Sequence, residues 1–169
     1  MNVINLINTQ NSALPWLDLT DYRLWDFAGV DGLQMAKALF GPAADTIAPW
    51  RSLHLDWQGQ SLSLLRLCEN NFRIGIEGNP QPLVAALQTA AVDAQVWWRP
   101  CDRMVAWAMP AAIGADLLPQ IAIAKLPHRL LGLPDDCALP GRIAGNAVVV
   151  WRHCLQGQSA FEIQTACLP

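Results

Sequence analysis

Apolar and polar residues alternate most cleanly between Ser52 and Glu77. Leu53, Leu55 and Trp57 are separated by His54 and Asp56, the period of a strand with one buried face. Gln58-Gly59-Gln60 reads as a turn, after which Leu62 and Leu64 resume the alternation. The pattern slips at Leu65 and continues through Leu67, as a β-bulge requires. Asn70-Asn71 makes the next turn, and Phe72, Ile74 and Ile76 alternate with Arg73, Gly75 and Glu77. These residues predict an antiparallel three-strand meander.

Helical spacing flanks it. Leu33, Ala36, Leu39 and Phe40 fall on one face of a helix over Asp31–Phe40, stopped by Gly41-Pro42. Thr20-Asp21 is placed to cap an earlier helix beginning near Tyr22, although Gly29 and Gly32 weaken its centre. A further helix is expected over Pro80–Ala94, with proline in its first turn and Leu83, Leu87 and Ala90 or Ala91 on one face. Val96–Trp98 and Met104–Met109 read as short strands around an Arg99–Arg103 turn. Further strands are expected at Leu118–Ala124, Arg129–Leu133, Ala147–Arg152 and around Phe161 and Ile163, the last two joined by a Gln156-Gly157-Gln158 turn. The fold class is therefore α+β: antiparallel β meanders and hairpins with two or three helices packed on them. A division near 111–117 gives an N-terminal α+β domain over residues 1–114 and a small β-rich segment over 115–169, or one domain throughout. A strand, a Gln-Gly-Gln turn and a strand occur at both 52–65 and 148–164, an echo too short to call a repeat.

Composition narrows the function classes. Of 169 residues 53% are hydrophobic and 15% charged, with a net charge of −3. That excludes a disordered chain, and the lysines, Lys37 and Lys125, are too few for a phosphate-tracking groove, so no nucleic acid is expected. Residues 1–10 lack the basic and apolar regions of a secretory signal, and no stretch approaches the ~18 apolar residues that span a bilayer. A cytoplasmic location is the expectation. The five cysteines have no CxxC spacing and read as free thiols.

Candidate chemistry is thin. His153-Cys154, with His128 and Cys137 upstream, would face opposite ways on a strand and does not make a zinc site. Nothing beside a cysteine suggests a nucleophile, and His54 reads as a surface residue. Asp18 and Asp21 suit a helix start, and Asp135-Asp136 suits a turn. Ile74-Gly75-Ile76-Glu77-Gly78 is half of a dinucleotide fingerprint in an antiparallel setting, so no cofactor and no metal are expected. The eight tryptophans carry more information: they fill a core, or they mark a partner-binding surface. Trp97-Trp98 would point to opposite faces of a strand. Leu53, Leu55, Trp57, Leu62, Leu64, Trp97, Trp98 and Trp151 are the candidate interface residues. An alternative is a small-molecule-binding domain or an accessory subunit of an enzyme, whose Trp-lined apolar pocket holds a flat ligand while Arg99 or Arg103 reads a carboxylate.

The stretches Leu118–Gly132, Leu139–Arg152 and Ser159–Ile163 resemble the first surface-presentation-of-antigens region of the cytoplasmic ring protein of type III secretion systems. Gly145-Asn146-Ala147-Val148-Val149-Val150 stands where that family has a glycine-led hydrophobic strand, with Asn146 in place of a common acidic residue. Leu55-Asp56-Trp57-Gln58-Gly59-Gln60-Ser61-Leu62 is similar to a stretch of its N-terminal region. The resemblance implies a non-enzymatic scaffold of the secretion sorting platform, reaching the inner membrane only indirectly. Its implied partners are the regulator of the export ATPase, the ring adaptor and a second chain bearing the same type of domain.

Overall fold

The Ser52–Glu77 meander forms as β2 (Ser52–Trp57), β3 (Gln60–Cys68) and β4 (Asn71–Glu77) in a computed structural model that describes residues 15–166. The ladder shifts register between Arg66 and Cys68, at the slip in the hydrophobic alternation. Two flanking strands complete an antiparallel sheet of order β2-β3-β4-β1-β5, where β1 is Tyr22–Gly29 and β5 is Val96–Pro100. The helix expected from Tyr22 is thus corrected to a strand. Its residues lie centrally between β4 and β5, and paired neighbours on both sides outweigh the local capping signal of Thr20-Asp21. Helix α1 (Gly32–Phe40) and helix α2 (Gln81–Ala91) form where helical spacing placed them. They cover one face of the sheet, burying Phe27, Phe72, Ile74, Ile76, Leu62 and Leu64 together with Met35, Ala36, Leu83 and Leu87.

A second antiparallel sheet has the order β6-β10-β9-β8-β7. Its strands are β6 (Met104–Pro110), β7 (Ala122–Ala124), β8 (Cys137–Ile143), β9 (Asn146–Leu155) and β10 (Gln158–Ala166), with helix α3 (Ala111–Ile121) between β6 and β7. The expected strand Leu118–Ala124 is therefore α3 for most of its length, and the strand expected at Arg129–Leu133 is a turn segment. The prolines and glycine that hide α3 in the sequence have local explanations. Pro110 stands at its N-cap, and a Cβ on Gly114 would lie 2.4 Å from the Phe161 ring, so the helix needs glycine to sit close to β10. Met109, Leu118, Leu139, Val150, Phe161 and Ile163 form this core.

The chain divides into two compact units, Thr20–Asp102 and the remainder from Arg103 onward joined by the stretch that ends at Leu19. Each follows the same path: a strand, a helix, then an antiparallel meander whose last strand pairs with the first, β4 with β1 and β10 with β6. The two Gln-Gly turns are both left-handed, with φ of 53° and 78° at Gln58-Gly59 and 51° and 73° at Gln156-Gly157. That is the tight hairpin geometry whose twist matches the strands it joins. The turns join β2 to β3 and β9 to β10, which are not equivalent places on that shared path. The sequence echo is one of turn chemistry.

Among the described residues no helix is long and apolar enough to cross a membrane.

Candidate interaction edge

Of the eight candidate interface residues, seven lie in the Thr20–Asp102 unit and Trp151 lies in the other. Leu62 and Leu64 are buried, Trp57 nearly so, and Leu53 and Leu55 half-buried, all packed under α1 and α2. The Trp57 indole N–H donates to the Leu39 carbonyl at 3.1 Å, fixing the hairpin to the end of α1. Trp98 faces the same core and tilts against Trp25, ring centroids 5.7 Å apart. Trp151 has no exposed surface and stacks on the His153 ring at 3.8 Å. Trp97 is 51% exposed.

Its strand, β5, is the last in the sheet order, so one side of it carries no paired strand. Cross-strand register sets what surrounds it. Trp97 lies opposite Ala28 and Arg99 opposite Asp26, which lies opposite Arg73, all on the face away from the helices. Arg73 donates to Asp26 through Nε to Oδ1 at 2.7 Å and Nη2 to Oδ2 at 2.8 Å, a buried fork-to-fork pair. Arg99 then ends a row Arg73–Asp26–Arg99 with a surplus positive charge. Its guanidinium lies 5.2 Å over the Trp97 ring, a cation–π platform at the surface. Cys101, further along the same face, donates its thiol to Asp26; burial first, and then the Asp26 charge, push that thiol from 9.0 up to about 12.

The exposed large hydrophobic side chains of this unit are Val30, Val92 and Trp97. Val30 follows Gly29, which pairs with Val96, and the Asp31 carboxylate accepts from the Gln95 amide at 2.8 Å, holding the two turns together. An exposed aliphatic, an exposed tryptophan and an arginine beside an open strand edge make a surface suited to docking another chain. Arg103, the other arginine considered for reading a carboxylate, is exposed and belongs to the second unit.

The second unit holds a buried polar cluster that the sequence did not single out as one. His153 Nε2 lies 2.9 Å from Glu162 Oε2, both side chains fully buried, and Gln164 donates to Glu162 Oε1 at 2.8 Å. The alternation of β9 and β10 carries all three, with Trp151, to the sheet face opposite the core under α3. The signal was legible in part: Glu162 and Gln164 occupy polar positions of a predicted strand, while His153 lies just past the end expected for Ala147–Arg152, and only the register of the longer β9 brings the three together. Among the described residues no group of three His, Cys, Asp or Glu side chains is placed to hold a metal.

No protein-family model matches the sequence, and no curated protein does. The fold, however, is similar to solved structures. Glycine cleavage system aminomethyltransferase T from Bartonella henselae superposes with a TM-score of 0.67 at 20% identity, over 90% of this chain and 42% of that one. A chain of the heterotetrameric sarcosine oxidase from Corynebacterium sp. U-96, in complex with pyrrole 2-carboxylate, superposes at 0.59 and 17% identity, over 90% of this chain and 74% of that one. The likeness is one of fold, and this chain spans about two fifths of the aminomethyltransferase. It overturns the resemblance to the type III secretion ring protein, and with it the sorting-platform scaffold, the ATPase regulator, ring adaptor and second-domain partners, and the expectation of no enzymatic role. The physical reason is visible in the elements: antiparallel hairpins with Gln-Gly turns recur in unrelated β proteins, and the Leu118–Gly132 stretch that began the resemblance is the end of a helix, a three-residue strand and a turn segment. The fold is one that this chain shares with an aminomethyltransferase and a sarcosine oxidase.

Proposed function

We propose that this chain is a subunit of a multi-chain cytoplasmic enzyme acting on a small amino acid or secondary amine, and that it docks on a neighbouring chain through the β5 edge. One observation carries the reading. Nine tenths of this chain matches about three quarters of a chain from a heterotetramer, a partner of similar length, while the same match takes in less than half of the aminomethyltransferase. A fold of this size therefore has a counterpart inside an oxidase assembly. The β5 surface, with Trp97 and Arg99 and with Val30 beside the end of the strand, supplies the contacts such a subunit needs; tryptophan and arginine are the residues most often decisive at the centre of interfaces.

The test is to tag the chromosomal copy, isolate the native complex, weigh it by native mass spectrometry and assay it for sarcosine-dependent hydrogen peroxide formation. A stoichiometric complex with that activity, weakened on the order of 30-fold in subunit affinity by Trp97→Ala, is expected. A chain recovered alone, with no amine-oxidising activity in its fraction, overturns the reading. So does aminomethyl transfer by the isolated chain.

A further inference from the structure

The second unit has its own apolar surface, and it also lies at a sheet edge. Among its described residues the exposed large hydrophobic side chains are Ile123, Leu126 and Leu131, at 76%, 85% and 79% exposure. All three fall within one short stretch that begins in β7, the last strand of the second sheet. The segment is anchored. Leu130 and Leu133 are buried in the core beneath it, the Lys125 amide donates to the Pro140 carbonyl at 2.9 Å, and Leu133 closes a turn on Leu130 at 3.0 Å. A held backbone therefore keeps these side chains in water, where each costs the free energy that burial would return.

The other end of this sheet is treated differently. Beside β6, the Leu17 amide donates to the Ala108 carbonyl at 2.9 Å, so part of that edge is capped by the chain itself. Along β7 the Lys125–Pro140 bond fixes which groups point inward. Ile123 turns its backbone to β8, and the N–H and carbonyl of Ala124 point outward. An extended segment can pair there, with Ile123 and Leu126 flanking it.

Charge selects the occupant. Lys125 and Arg129 are exposed within the stretch, and among the described residues neither has an ion-pair partner. Asp135, the nearby exposed carboxylate, is held by Arg152 at 2.8 Å. Antiparallel pairing of β7 with the β7 of a second copy would bring the Lys125 and Arg129 side chains of both copies to one seam, which disfavours self-association. We propose that the β7 edge is a second docking site, which takes an extended, acidic and aliphatic segment of a partner chain as an added strand. This goes beyond the subunit reading and does not rest on it, because the β7 unit contains none of the β5 contacts.

The experiment uses the full chain and two synthetic peptides, one alternating valine with glutamate and one alternating valine with lysine. Binding is followed by amide NMR shifts and hydrogen exchange. The glutamate peptide is expected to bind, to shift the amides of Ile123–Arg129, to slow exchange at Ala124, and to lose affinity as salt is raised. The double variant Lys125→Glu/Arg129→Glu is expected to weaken it on the order of tenfold and to gain binding of the lysine peptide. Both substitutions are at exposed positions, so the fold is retained, and unchanged circular dichroism checks this. No binding by either peptide, equal binding of both by the unmodified chain, or shifts confined to Trp97–Arg99 each overturns the proposal. Dimerisation of the chain in sedimentation, abolished by Ile123→Ser, overturns it in favour of a second copy as the occupant.

Discussion

Asp26 and Arg73 are buried as a bidentate pair on neighbouring strands, with Arg99 directly across from Asp26 on the other side. Removing the carboxylate charge leaves a buried guanidinium facing a second cation. Asp26→Asn is therefore expected to lower stability by about 3–5 kcal/mol, while replacing both partners, Asp26→Leu with Arg73→Met, costs far less. Urea unfolding of the two variants checks this, and equal losses would show that packing, not charge, decides the position. Cys101 supplies a second residue-scale prediction. Its thiol titrates near 12 when folded, against 9.0 when not, so between those values the unfolded chain releases a proton that the folded chain keeps. Stability attributable to Cys101 is complete below pH 9 and declines as pH rises toward 12. Cys101→Ala is expected to flatten that alkaline decline in Tm. At neutral pH iodoacetamide should modify the exposed Cys68 well before Cys101.

At the scale of elements, the successes and failures of sequence reading have separate causes. The β2–β4 meander, α1 and α2 were legible because each turns its large apolar residues to one shared core, which writes a period of 2 or 3.6 into the residues, even though Ser63 and Arg73 on the other face are also buried. Strand β1 was not, because it carries apolar residues on both faces, Leu24 and Ala28 beside Asp26 on one and Trp25 and Phe27 on the other, which erases the alternation. Strand β8 was also hidden. Its apolar residues run into Pro140-Gly141, read alone as a loop, yet the Pro140 carbonyl accepts from Lys125, and a Cβ at Gly141 would approach the Ile123 carbonyl at 2.9 Å. Helix α3 tolerates the exposed Pro119 inside its last turns. Pro119→Ala restores a helical donor and is expected to raise stability by about 1–3 kcal/mol. Gly114→Ala, by contrast, drives a methyl into the Phe161 ring and is expected to cost about 1–3 kcal/mol despite its better helix propensity. Thermal denaturation of the pair separates propensity from packing.

The whole molecule repeats one plan twice and leaves an open edge strand in each unit bordered by exposed aliphatic or aromatic side chains. Such side chains contribute little to folding of the chain itself. Trp97→Ser and Ile123→Ser are expected to change stability by less than about 0.5 kcal/mol, while raising solubility measured by light scattering. A large loss of Tm in either variant would place that side chain in the core. The sequence by itself determined the α+β class, the meander, two helices and the Gln-Gly turns, because local period and turn chemistry are properties of neighbouring residues. The excess of apolar residues was also plain in composition, but not where it would face. Only the tertiary structure decided that Trp57, Trp98 and Trp151 pack inward while Trp97 stays at an edge, and that Asp26 meets Arg73 and His153 meets Glu162. Those outcomes depend on strand register, and register joins residues that no local pattern connects.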